Sequence, residues 1–213
     1  MRLYLSSFRN GNKPKELLKL VGAGRRAALI GNAMDMVYEA ERSASISEEL
    51  DRLRGIGLIP VEIDLRKYFG KTKELKQTLM NFNLVWVRGG NTFVLRRALK
   101  MSGADEIIRE LLEKDAMVYG GYSAGICILT PTLRGLELVD DADFVPDGYD
   151  SEIIWDGLGI VPYSIAPHYK SDHPESPAID NTVEYFKEKN MPFKTLRDGE
   201  AIVIDGDKEQ VVR

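Results

Sequence analysis

The chain has 213 residues, 44% hydrophobic and 29% charged, with a formal net charge of −4. That length suits a single domain over residues 1–213 with a sizeable core. The acidic balance argues against a general nucleic-acid binder, and no apolar run approaches a membrane span. One cysteine, Cys127, excludes an internal disulfide, and two histidines without a cysteine pair give no metal-ligand spacing.

Taken in chain order, the first half alternates β-rich runs with amphipathic segments. Arg2–Ser6 reads as a strand, its apolar core too short for a signal peptide. Pro14–Val21 reads as a helix and Ala27–Ile30 as a strand. Ser47 to Leu53 reads as part of a helix, with Ser47 as N-cap. Leu58–Ile63 alternates as a strand, and Lys73–Phe82 carries Leu75, Leu79 and Phe82 at helical spacing. Leu84–Val87 is an apolar strand, Asn91–Lys100 and Asp105–Lys114 are helices, and Met117–Tyr119 is a further strand. Strands separated by helices predict βαβ units and an α/β fold with a mainly parallel sheet between helices. Beyond residue 125 the regularity falls. Asp140 to Asp156 reads as loop or hairpin, Ile179–Lys189 as a helix, and Leu196 to Arg213 as strands with Asp198-Gly199 and Asp205-Gly206 turns.

The stretch Gly121-Tyr122-Ser123-Ala124-Gly125 lies between an apolar strand and an apolar helix start, the pattern of a nucleophile elbow. Such a turn forces its central residue into a rare backbone conformation and leaves no room for flanking side chains. It lifts the serine hydroxyl above the sheet and aims the Ala124 N–H at a developing oxyanion. A serine hydroxyl needs a base. His168 ends the apolar run Val161–Pro167 and is expected at a strand terminus, whereas His173 lies in a polar, solvated loop, so His168 is the favoured base. The acid that would orient it is left open among Asp198, Glu137, Asp140, Asp141 and Asp172. A second oxyanion donor is sought in Arg88-Gly89-Gly90-Asn91-Thr92, which follows a strand and opens a helix.

Four motifs together make the pattern specific. Val87–Phe93, Tyr119–Gly125, Pro131–Arg134 and Ala166–Tyr169 resemble, in order and spacing, the peptidase E family of aspartyl dipeptidases and cyanophycinases. The resemblance covers nearly the whole chain. It implies a three-layer, class I glutamine amidotransferase-like (flavodoxin-like) fold and a cytoplasmic serine peptidase acting on small peptides, as a monomer or homodimer. It needs no cofactor or metal, and no nucleic acid or membrane. It implies Ser123 as nucleophile, His168 as base, and Gly90 and Ala124 as oxyanion donors. The family's late acidic residue falls on Asp198 of Leu196-Arg197-Asp198-Gly199. Arg88, Asn91 and Arg134 are candidate substrate-binding residues.

The departures from the family are equally informative. Arg88 stands where its Gly-Gly-Gly-Asn-Thr loop has the first glycine, and its aspartate after the elbow falls at about Leu138, beside Glu137. Aspartyl dipeptidases carry a Glu-Thr-Arg-like motif after the histidine, whose arginine reads the substrate aspartate. This chain has Glu175-Ser176-Pro177-Ala178. A specificity other than Asp-Xaa is therefore expected. The competing expectations are another amide hydrolase and a catalytically silent binding protein on the same fold.

Overall fold

A computed structural model describes residues 1–213. Its elements are β1 (Arg2–Ser6), α1 (Pro14–Val21), β2 (Arg26–Ile30), α2 (Glu39–Gly55), β3 (Ile59–Glu62), α3 (Thr72–Leu79), β4 (Leu84–Val87) and α4 (Thr92–Ser102). They continue as α5 (Ala104–Glu113), β5 (Val118–Tyr122), α6 (Ala124–Cys127), β6 (Ser164–Ala166), α7 (Ser176–Glu188), β7 (Phe193–Thr195), β8 (Ala201–Asp205) and β9 (Lys208–Val212).

A seven-stranded sheet in the order β3-β2-β4-β5-β1-β8-β9 forms the centre. β3, β2, β4, β5 and β1 run parallel, and β8 and β9 close one side as an antiparallel hairpin. Successive strand residues point to opposite faces, which splits the core in two. Leu3, Leu5, Ala28, Ile30, Val85 and Val87 join α3, α4 and α5 in a cluster of 40 buried residues. Tyr4, Ala27, Leu29, Leu84 and Trp86 pack with α1 and α2 in a cluster of 15 on the other face. The result is the three-layer arrangement that the strand–helix alternation predicts.

Helix α2 departs from the sequence reading. It begins at Glu39, so Ser47 sits within it and caps nothing. Its buried residues are Arg42, Ile46, Glu49 and Leu53, a helical stripe in which two of the four are charged. Arg42 reaches Asp35 at 2.5 Å, with side-chain exposures of 4% and 1%. Glu49 accepts from Trp86 Nε1 at 2.8 Å and from the Tyr122 hydroxyl at 3.2 Å. Losing one partner of a buried pair like Arg42–Asp35 strands a charge, at a cost of about 3–5 kcal/mol.

The region after α6 is irregular, as expected, and is tied down by side chains. The buried Arg97 guanidinium of α4 donates to the carbonyls of Ala142, Phe144, Ser151 and Glu152. The Tyr149 hydroxyl bonds Asp35. In place of a hairpin, a single antiparallel bridge joins Thr132 to Asp156. The strand before His168 also differs from expectation: β6 pairs with β7 in a separate two-stranded sheet, outside the main one. No helix is long and apolar enough to cross a membrane.

Candidate active site

Ser123 follows β5 directly and is the N-cap of α6, with φ 50° and ψ −122°. Positive φ in a non-glycine residue is strained and persists only where the surroundings enforce it. The enforcement comes from β4. Val87 pairs with Gly121, and a Cβ on Gly121 would stand 2.6 Å from the Val87 carbonyl oxygen. A Cβ on Gly125 would meet the same oxygen. The Tyr119 hydroxyl adds a 2.5 Å bond to the Gly125 carbonyl. The elbow is thus clamped against one backbone atom of the neighbouring strand.

The loop after β4 closes over the serine. A Cβ on Gly89 would lie 2.8 Å from Ser123 Cβ. The Gly90 N–H and the Ala124 N–H donate no hydrogen bond within the chain. Asn91 belongs to the scaffold instead of the cleft. Buried, it caps α4 by accepting from the N–H groups of Phe93 and Val94, both at 2.9 Å, and its amide donates to the Asp141 carbonyl at 2.8 Å. Its side-chain oxygen is taken by two N–H groups of α4 and its amide is anchored on the Asp141 carbonyl.

His168, 1% exposed, has φ 58° at the end of β6. Its backbone N–H donates to Ser7 Oγ at 2.8 Å, and that hydroxyl donates to Asp198 Oδ1 at 2.8 Å. Its ring Nδ1 lies 2.7 Å from the same Asp198 oxygen. Beside a carboxylate, Nδ1 carries the proton, which leaves the Nε2 lone pair free. Asp198 is itself held, its N–H donating to Ser171 Oγ at 2.8 Å. Burial lowers the His168 pKa; Asp198 opposes that and the His173 charge adds to it.

His173 is not a solvated loop residue. Its ring stacks on that of His168, centroids 3.7 Å apart and planes 10° from parallel, and Phe8 meets both rings edge-on. Glu175 Oε2 lies 3.9 Å from His168 Nε2. Burial, and then the charges of Asp140 and Asp198, push its carboxyl up to about 7. The ligand atoms of His168, His173 and Asp198 lie within 4.8 Å of one another. Their geometry does not suit a metal: the ring lone pairs lie in parallel planes and do not converge, and Nδ1 of His168 is engaged by Asp198.

Ser123, His168, His173, Glu175, Gly89 and Gly90 line one cleft of about 260 Å³, with Arg9, Arg52 and Arg88 around it. Ser123 and His168 share this cleft without a hydrogen bond between them, as is common before substrate binds. Arg88 is partly committed, donating to the Gly89 carbonyl at 2.7 Å and to Ser45 Oγ at 2.6 Å. Arg134 is elsewhere, over the Trp155 ring at 4.5 Å and lining a different cavity with Arg96 and Arg97. Of the other acids, Asp140 accepts from the Thr92 N–H at 2.9 Å and Glu137 from the Gly135 N–H at 2.5 Å. Sequence reasoning missed Ser7, Arg9, Arg52 and the contact of Glu175 with the histidine. For Ser7 a signal existed: it follows β1, the parallel neighbour of β5, and the ends of such strands gather sites.

The family model of peptidase family S51 matches residues 6–212. The chain belongs to that family. Among its S51 relatives is a probable alpha-aspartyl dipeptidase of Drosophila melanogaster, 30% identical over 138 residues, which are 62% of this chain and 54% of that protein. A peptidase E of Streptomyces coelicolor is 32% identical over 130 residues, 58% of this chain and 49% of that protein. The matches thus span about half the length of these curated relatives. A crystal structure of a Listeria monocytogenes protein assigned as a peptidase E superposes with a TM-score of 0.79. It is 24% identical, covering 100% of this chain and 98% of that one, and shares the fold.

Proposed function

We propose that this S51 chain is a serine peptidase of the peptidase E type that hydrolyses short peptides through Ser123, His168 and Asp198. The observation that carries the reading is the strained Ser123 sharing a cleft with a buried His168 whose Nδ1 is 2.7 Å from Asp198. Ser123 Oγ would attack the scissile carbonyl carbon while its proton passes to His168 Nε2. The oxyanion would take the N–H groups of Gly90 and Ala124. The C–N bond then breaks, His168 returns the proton to the leaving amine, and an acyl-enzyme remains. Water, deprotonated by the same ring, releases the acid and frees Ser123.

The specificity differs from that of an Asp-Xaa dipeptidase. Where the family's motif after the histidine has its arginine, this chain has Pro177, which offers no guanidinium to a substrate aspartate. The test is kcat/KM for Asp-Leu, Ala-Leu and Lys-Leu with the wild type and with Ser123→Ala as control. A preference for Asp-Leu of a hundredfold or more overturns the specificity. Equal turnover by Ser123→Ala overturns the mechanism. The alternative, a silent binding protein on the same fold, is separated by a fluorophosphonate probe: labelling of Ser123 excludes it.

A further inference from the structure

The three arginines at the rim of the cleft differ in what already holds them. Arg88, on the side of the Gly89–Gly90 loop, is tied to the Gly89 carbonyl and to Ser45. Arg52, on α2, is anchored through Nε alone. The buried Glu49 accepts from it at 3.3 Å with the same oxygen that takes the Tyr122 hydroxyl. Neither terminal nitrogen of Arg52 donates a hydrogen bond within the chain. The Arg9 guanidinium has no hydrogen bond and no carboxylate partner; it lies over the Phe8 ring, 4.7 Å from the centroid. Arg9 has φ 51°, which makes it, with Ser123 and His168, the third strained non-glycine residue lining the cleft. Neither Glu48 nor Glu175, the carboxylates at the cleft, pairs with Arg9 or Arg52. Both arginines also line an adjoining groove of about 300 Å³. Two open guanidinium groups thus stand where the cleft passes into the next groove.

The reaction dictates which part of a peptide meets them. The attacked carbonyl belongs under the Gly89–Gly90 loop, and the departing nitrogen belongs on the other side, about 3 Å from His168 Nε2. The carbonyl carbon of the leaving residue lies about 2.5 Å from that nitrogen, as the bond lengths and the N–Cα–C angle require. The wall beside the histidine is Phe8, its ring centroid 5.7 Å from that of His168, and Arg9 covers Phe8. A carboxylate on the leaving residue therefore reaches the arginine side of the cleft, where its two oxygens match a guanidinium fork.

Resting on the reading of Ser123 and His168 given above, we infer that Arg9 and Arg52 receive a carboxylate on the leaving residue, and so select peptides whose departing portion is anionic. The carboxylate is the C-terminal one or that of an acidic side chain on the same residue.

The experiment compares kcat/KM within two pairs that differ by one charge, Ala-Leu with Ala-Leu-NH2 and Ala-Glu-NH2 with Ala-Gln-NH2. The enzymes are wild type, Arg9→Gln, Arg52→Gln, the double glutamine variant and the double lysine variant. In the wild type the acidic member of at least one pair should be favoured about twentyfold or more, and the pair that shows it identifies the source of the carboxylate. Each single variant should lower that ratio. The double glutamine variant should bring it below about threefold, and the double lysine variant, which keeps charge without the fork, should restore part of it. Equal rates within both pairs in the wild type, or a ratio that survives in the double glutamine variant, overturn the inference. So does a double glutamine variant that changes the preference between Asp-Leu and Ala-Leu and leaves the paired ratios alone, since the arginines then serve the acylated residue. Calorimetric Kd values for the same pairs on Ser123→Ala, with and without the double glutamine change, should show the same discrimination where turnover is too slow to read. Peptide hydrolysis retained by Ser123→Ala overturns the underlying reading as well, whereas hydrolysis lost there, with paired ratios unchanged by the double glutamine variant, overturns the inference alone.

Discussion

Ser123 and His168 face the same cleft but are held in place by different means. Ser123 is fixed by backbone: a glycine on each side, and one carbonyl oxygen of the adjacent strand pressing on both. His168 is fixed by side chains from far along the chain, Ser7 at 161 residues' separation and Asp198 at 30. Both residues carry positive φ, so both are strained, Ser123 against the backbone of β4 and His168 among side chains from distant segments. A turn held by backbone atoms needs no particular side chain from its neighbours. A distant constellation depends on the rest of the fold arriving first, and it can be taken apart one hydroxyl or carboxylate at a time.

The comparison can be broken at its centre. Ser123→Ala and His168→Ala should each lower kcat/KM by about 10³-fold or more, with unchanged circular dichroism, because the members of such a unit act together. If either variant keeps a tenth of wild-type activity, that residue is not part of the unit. Asp198→Asn comes next, with a loss of about 10²-fold or more, since an amide no longer fixes the Nδ1 proton or stabilises the imidazolium. Ser7→Ala should cost less, about tenfold, by loosening both the His168 backbone and Asp198 while leaving their direct contact. A Ser7→Ala enzyme as active as wild type would show that the histidine is positioned without its distant hydroxyl. His173→Ala should fall within about tenfold, because it removes a stacked ring and no proton-transfer atom. Glu137→Gln, bonded only to its own turn, should be nearly neutral.

The pH dependence sharpens the same contrast. Burial disfavours the His168 imidazolium, so the neutral, proton-accepting ring persists below the ordinary histidine value of 6.5. The acid limb of kcat/KM should therefore lie below pH 6.5 in the Glu175→Gln enzyme. In the wild type a further rise near pH 7 should accompany ionisation of Glu175. Identical profiles for the two enzymes would show that Glu175 ionises without effect on turnover.

The same divide governs what could be read beforehand. The elbow, the parallel strands and the helix starts are local, and Gly121-Tyr122-Ser123-Ala124-Gly125 announces its turn because glycine at those spots has a steric cause. Asn91 was visible as a polar residue at a helix start, but the sequence could not say that α4 would take its side-chain oxygen and the Asp141 carbonyl its amide. Helix α2 was half hidden because its buried stripe includes Arg42 and Glu49, whose partners Asp35, Trp86 and Tyr122 come from other elements. Arg134 and His173 went to unexpected places for the same reason: Trp155 claims one and the His168 ring the other.

The clamp on the elbow has a consequence for how the sequence can drift. Where two side chains collide, trimming either one relieves the clash, and a second mutation can rescue the first. Here the obstacle to a methyl group at Gly121 or Gly125 is the carbonyl oxygen of Val87, an atom that no substitution at residue 87 removes. Replacing Val87 by a smaller residue therefore rescues neither Gly121→Ala nor Gly125→Ala. A suppressor screen started from either variant should return reversion to glycine and nothing at position 87.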